Sequence, residues 1–280
     1  MLLTIADEYI RDGWYTLPQR LDPAILANIR ASIERISGMK REEVVCEEDG
    51  HTVRALHGCH RFDPVCAELV GLPLLLDLAE AIIGDKVYVY QFKVNIKGAR
   101  NGEKWPWHQD FAFWKYEDGM PTDRAVNIAI NLDEVHESNG PLQVLTGTHK
   151  LGLVDPGSSD GHGGDWREHV SANLTYTVSD DSVARLKESH PVQHLVGPPG
   201  TISAFHPSIV HASSPNRSSD RRTVLFITYN ALDNAPKNPQ RPNFLVDRSV
   251  TPVKRLVTPL ALTGAVDRSA SDLGRGHGEE

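Results

Sequence analysis

"KVYVYQFKVNIK", residues 86–97, alternates along its length, and it follows "LPLLLDLAEAIIG" at 72–84, whose apolar residues recur at helical spacing. The change of period marks a passage from helix to strand, because alternate residues of an extended chain share one face. The strand signature returns in "RAVNIAINL" at 124–132, "LQVLTG" at 142–147, "GTISAFH" at 200–206 and "RTVLFITYN" at 222–230. Short strands bounded by Gly, Pro, Asn or Asp predict a sandwich or barrel. Upstream, residues 5–12 and "PAILANIRASIERIS" at 23–37 read as helices, with Asp22 placed to cap the second and Gly38 to end it, as Gly84 ends the helix at 72–84. A short helix is expected within 176–190, a surface loop over the Gly- and Asp-rich stretch 155–165, and a mobile tail over 261–280, which is too poor in apolar residues to pack. The expected organisation is a single domain over 1–260, with N-terminal helices in 1–84 and a β core over about 85–235.

Composition narrows the function. A chain of 280 residues is long enough to bury a substantial core. Its formal net charge of −8 argues against a nucleic-acid or anionic-membrane binder, whose footprint is basic. Cys46, Cys59 and Cys66 are odd in number and lack CxxC spacing, so neither a disulfide framework nor a thiolate zinc site is indicated. Asp7 and Glu8 fall where a signal peptide needs its apolar core, and no run is apolar enough to span a bilayer. The expectation is a cytoplasmic protein.

"EKWPWHQDFAFW", residues 103–114, sets a histidine and an aspartate two apart among three tryptophans and two phenylalanines. In a strand, His108 and Asp110 share a face and present an imidazole and a carboxylate to one point. A third ligand is available in "AFHPSIVHASSPN", where His206 and His211 have opposite strand parity and so do not both point inward. Two histidines and a carboxylate form the facial triad of non-haem Fe(II) oxygenases, with three coordination positions left open. Arg221 or Arg222, opening the strand at 222–230, offers a planar cation for a co-substrate carboxylate. A surface salt bridge is the plainer use of such an arginine, as filling a barrel is of the aromatics.

These motifs resemble the phytanoyl-CoA dioxygenase-like group of Fe(II)/2-oxoglutarate oxygenases, in which HxD is followed by a distal histidine and, eleven residues later, by an arginine. His108, Asp110, His211 and Arg222 match that pattern. The blocks "WHQDFAFWKYEDGMP" and "NGPLQVLTGTHK" resemble ectoine hydroxylases. "EEDGHTVRAL", "QFKVN", "FHPSIVH" and "ITYNALDNAPK" resemble segments of the bacterial free-leucine 5-hydroxylase branch. The fold so implied is a double-stranded β-helix, a cupin-like jelly roll with helices packed outside it.

The resemblance implies that His108, Asp110 and His211 hold Fe(II) and that Arg222 pairs with the distal carboxylate of 2-oxoglutarate. Gln91 and Asn95, four apart on one strand, are implied as further co-substrate contacts, with Ser213 and Trp105 beside them. The implied reaction joins O2, 2-oxoglutarate and a C–H bond to give an alcohol, succinate and CO2. An aspartate at position 110 favours hydroxylation over halogenation, since related halogenases carry glycine or alanine there; desaturation and cyclisation stay open. The implied substrate is a free apolar amino acid, leucine first, with Arg54 as its carboxylate anchor and Trp114 and Phe111 as an aromatic wall. For Arg54, an ion pair with Glu47, Glu48 or Asp49 is an equal reading. The loops "HGCHRF" at 57–62 and "HGGDWREH" at 162–169 depart from the leucine enzymes. The rival enzyme reading is a cupin-type metal enzyme without 2-oxoglutarate, for which Arg222 has no use; the non-enzyme rival is a catalytically dead binding module.

Overall fold

A computed structural model of the chain describes residues 2–47, 49–100, 102–155 and 174–257. The expected tail at 261–280, the motif at 162–169 and most of the loop at 155–165 lie outside the described residues.

In chain order the elements are α1 (Leu2–Asp12), β1 (Trp14–Thr16), α2 (Pro23–Ser37), β2 (Val44–Cys46), β3 (Val53–His57), α3 (Pro64–Leu69), α4 (Pro73–Ile83), β4 (Val87–Lys97), β5 (Trp105–His108), α5 (Asp110–Tyr116), β6 (Ala125–Asn131), β7 (Leu142–Leu145), α6 (Asp180–Lys187), β8 (Val192–Leu195), β9 (Ile202–Phe205), β10 (His211–Ser213) and β11 (Arg222–Ala231). Three short strands therefore stand among the N-terminal helices. The strands form a seven-stranded sheet, in the order β1-β9-β6-β11-β4-β3-β2, and a four-stranded sheet, β5-β10-β7-β8. All pairings are antiparallel. The two sheets form the sandwich expected from the strand pattern, with the jelly-roll architecture that the family resemblance implies.

The N-terminal helices α1 to α4 cover one face of the large sheet. Asp22 accepts the backbone N–H of Ala24 at 2.8 Å and starts α2 at Pro23, a first-turn proline that costs no hydrogen bond. Ile25, Ile29, Ile33 and Ile36 then recur at helical spacing and join Leu75, Leu78 and Ala79 of α4 in one core with Leu56, Val94, Ile128 and Leu225 of the sheet. A second apolar cluster, including Val144, Leu195, Phe205 and Phe226, lies between the two sheets. No described helix is long and apolar enough to cross a membrane.

A bulge in β4 sets what faces the inner side. Thr228 of β11 pairs with Gln91 but Tyr229 pairs with Val89, so Tyr90 has no partner of its own in that ladder. Parity switches there: Val87 and Val89 enter the helix-covered core with Phe92 and Val94, while Gln91, Lys93 and Asn95 face the inter-sheet cavity. The polar half of the alternation seen in the sequence therefore lines the interior of the jelly roll.

Candidate active site

His108 ends β5 and Asp110 begins α5, with Gln109 extended between them. This corrects the expectation that both project from one strand, since a strand-to-helix turn brings them together. Gln109 pins that turn: its side-chain amide donates to the carbonyls of Ser208 at 2.6 Å and Gly152 at 2.8 Å, and its oxygen accepts from Val154 N at 2.7 Å. His211 stands directly across the β10–β5 ladder from His108, with ring centroids 4.1 Å apart. Asp110 Oδ1 lies 3.8 Å from His108 Nε2, and Oδ2 lies 3.7 Å from His211 Nε2. One ligand atom from each of the three residues falls within 4.8 Å of the others, the one such metal-competent group among the described residues.

The donor set fits a divalent iron. A carbonyl only accepts, so the contacts of His108 Nδ1 with Pro106 O at 2.7 Å and of His211 Nδ1 with Ile209 O at 2.9 Å fix the proton on Nδ1. The Nε2 lone pairs are left for a metal. Burial pushes the His108 pKa down to about 3, helped by His211, and lowers that of His211. Burial works to raise Asp110, yet Lys93 and the two imidazoles hold it down to about 2. Neutral imidazoles and an ionised carboxylate are the forms a metal binds.

Behind Asp110, Asn127 Nδ2 donates to Oδ2 at 2.8 Å and Thr228 Oγ1 donates to Asn127 Oδ1 at 2.6 Å, all of it buried. Outer hydrogen bonds of this kind orient a ligand, and their loss costs about 10–100-fold in metal affinity. Asn127→Leu is therefore expected to weaken metal binding by roughly that factor while His108 and His211 stay in place. Titration with Mn(II) as a stable probe checks this, and an unchanged affinity would show the bond to be dispensable.

Gln91, Lys93, Asn95, Trp105, Ser213 and Arg222 border one cavity with the triad. Lys93 escaped the sequence reading; its Nζ is 3.8 Å from Asp110 Oδ1. Trp105 and His108 are three apart, yet both border the cavity, because the β10–β5 register shifts between His211 and Ser213. Trp107 instead lies beneath Lys187, whose Nζ is 5.1 Å from its ring.

Arg222 is 2 % exposed, and its guanidinium donates to Gly140 O, from Nε at 3.0 Å. Arg221, its neighbour of opposite parity, is half exposed and pairs with Glu34 and Asp133. Lys97, a second buried basic residue missed in the sequence, is 3 % exposed and donates to Ser213 Oγ at 2.8 Å. Burial, reinforced by Arg222 and Arg54, pushes its pKa down to about 6. Among the described residues no carboxylate forms an ion pair with either Arg222 or Lys97.

Other expectations need correction. Phe111 does not border the cavity; Phe113 does, because Asp110, Phe113 and Trp114 share one face of α5 while Phe111 is turned about 100° from Asp110. Arg54 is held 3.5 Å from Glu47 and over the Trp105 ring, and alternation along β3 gives the cavity Ala55 and His57 instead. His206 follows β9, apart from the triad, with its ring near Tyr9 and His149. A turn between strands, rather than parity within one, separates it from His211.

A jelly roll enclosing two histidines and a carboxylate around open coordination positions defines a non-haem iron oxygenase. The chain belongs to the phytanoyl-CoA dioxygenase (PhyH) family, whose model matches residues 9–224. It is 54 % identical over 256 residues to the L-proline trans-4-hydroxylase of Streptomyces griseoviridis, covering 90 % of this chain and 95 % of that one. The crystal structure of EctD from S. alaskensis with bound Fe matches with a TM-score of 0.77 at 28 % identity, over 91 % of this chain and 87 % of that one. The structure of the same EctD with 2-oxoglutarate and 5-hydroxyectoine gives 0.76 at 27 % identity over the same shares. The protein is a dioxygenase dependent on Fe(II) and 2-oxoglutarate, with O2 as co-substrate.

Proposed function

We propose that the protein hydroxylates a small free amino acid at an unactivated C–H bond, with L-proline the first candidate. The observation that carries the site assignment is the buried Arg222 cation, which borders the cavity that holds the triad and forms no ion pair among the described residues. A buried charge left uncompensated is costly, so the natural occupant is an anion. A dicarboxylic co-substrate supplies one, and a cupin-type enzyme without 2-oxoglutarate would have no use for such a cation.

In this reading His108, Asp110 and His211 hold Fe(II) and Arg222 takes the distal carboxylate of 2-oxoglutarate through its planar fork. Gln91, Asn95, Trp105 and Ser213 bound the space that remains, with Lys97 donating to Ser213 from behind. The chemistry supplied at the metal is the coupled conversion of R–H, 2-oxoglutarate and O2 to R–OH, succinate and CO2. The chain's own residues place the substrate and exclude water: Phe113 and Trp114 form an apolar wall beside the triad, and Lys93 keeps Asp110 ionised as a ligand. Asp110 fills the ligand position that a halide would need, which favours hydroxylation over halogenation.

For the substrate, the support is the relative 54 % identical over nearly its full length, named for L-proline. Leucine remains the second reading, on the motifs shared with leucine hydroxylases. The test is to incubate the iron-loaded protein with 2-oxoglutarate and L-proline, L-leucine or ectoine, scoring succinate against a product 16 mass units heavier. Proline is expected to give equal amounts of both. Product from leucine or ectoine alone would overturn the proline reading, and succinate without product from any of them would remove the amino-acid reading.

A further inference from the structure

His57 closes β3 directly across from Lys93 of β4, and cross-strand partners project to the same face. That face is the cavity wall, which His57 and Lys93 both border. The imidazole is 6 % exposed, and its Nε2 is buried without a hydrogen-bond partner. Buried polar atoms in folded proteins nearly always have a partner, so an orphan on the wall of a substrate cavity calls for one that arrives with the substrate.

The surroundings say which part of a substrate that is. Burial lowers the His57 pKa to about 3, with Lys93, Arg241 and Arg54 adding to the effect, so the ring is neutral and sits in positive potential. Arg241 is committed to Asp118, its Nε donating to Oδ1 at 3.0 Å. A neutral N–H donor amid cations suits a carboxylate and repels an ammonium.

The backbone that carries the ring is also held in place. Gly58 adopts φ +60, and a Cβ there would stand 2.9 Å from Phe244 Cβ, so only glycine permits the close packing that ends the strand. His57 N donates to Glu43 O at 2.9 Å and Gly58 N to Phe92 O at 2.8 Å. Two residues on, His60 Nε2 is 3.0 Å from Asp247 Oδ2 and Arg61 donates to Oδ1 at 2.7 Å. This is the "HGCHRF" segment in which the sequence departs from leucine hydroxylases.

We propose that His57 determines specificity by donating a hydrogen bond from its imidazole to the carboxylate of the amino-acid substrate, the role first expected of Arg54. The inference rests on the amino-acid reading above. A half turn about Cβ–Cγ exchanges which ring atoms face the cavity, so the bond needs no backbone movement.

The test compares wild type, His57→Leu and His57→Gln, each loaded with iron and 2-oxoglutarate, on L-proline and on its primary amide. His57→Leu is expected to raise KM for proline roughly 10–100-fold, the loss of a hydrogen bond to a charged group, with iron content and KM for 2-oxoglutarate unchanged. Its preference for acid over amide should shrink by a similar factor. His57→Gln, which keeps a donor, should recover part of both. Calorimetry of proline binding without O2 gives the same ranking independently of turnover, and thermal melts identify a variant that fails to fold. A His57→Leu protein that folds and keeps both its KM and its acid-over-amide preference overturns the role of His57 alone. A wild type that turns over no amino acid removes this inference together with the amino-acid reading.

Discussion

His211→Ala, His108→Ala and Asp110→Ala are each expected to abolish substrate oxidation and to strip the protein of iron under conditions where wild type retains it. In the proposed site three protein atoms would supply the fixed coordination, and the arrangement depends on each: His211 faces His108 across a two-strand ladder, and Asp110 lies within 3.8 Å of both imidazoles. Removing one ligand leaves a two-point site and an uncompensated remainder in a buried place. His206→Ala is the control, because that ring packs against Tyr9 and His149, outside the triad. Iron analysis after gel filtration and succinate formation are the measurements. An active His211→Ala protein beside an inactive His206→Ala protein would exchange their roles.

Arg222→Ala is expected to raise the 2-oxoglutarate requirement by about 2–5 kcal/mol, roughly 30-fold or more, with iron retained. The guanidinium is buried, has the Gly140 carbonyl as its one hydrogen-bond partner among the described residues, and stands apart from the triad's hydrogen bonds. Burial pushes its pKa down to about 10, still far above neutrality, so the cation persists. Arg222→Lys should recover part of the loss, since an ammonium keeps the charge without the two-pronged fork. Arg221→Ala should matter little because its side chain is engaged at the surface with Glu34 and Asp133. Anaerobic titration of 2-oxoglutarate into the Fe(II) protein is the check, and wild-type affinity in Arg222→Ala would dismiss the assignment.

What could be read in advance follows the physics of periodicity. β4, β6 and β11 have seven or more residues each, long enough to show their alternation, and all three fall where it places them. β1, β2 and β10 have three residues each, too few to carry any period, so they stayed hidden in helical or loop stretches. Arg221 and Arg222 separate as strand parity requires. Asp110 does not, because a helix start looks like one more strand residue when the chain on both sides is aromatic. For the same reason the sequence points to Phe111 as cavity wall and passes over Phe113. Lys97 lacked a local signal altogether, and His57 had only the departure of the segment it opens; their burial, and the missing partner of His57 Nε2, depend on residues far away in the chain.

The direct opposition of His108 and His211 gives the metal a second consequence. A slip of one residue along that ladder would turn His211 away and bring in Ala212 or Val210, neither of which can bind a metal. Ion affinity thus becomes folding energy for a single strand alignment: a ligand bound only by the correctly paired chain stabilises it by mass action, while mispaired forms gain nothing. Thermal denaturation with and without Mn(II) would measure how much of the small sheet's cohesion comes from such selection among alignments.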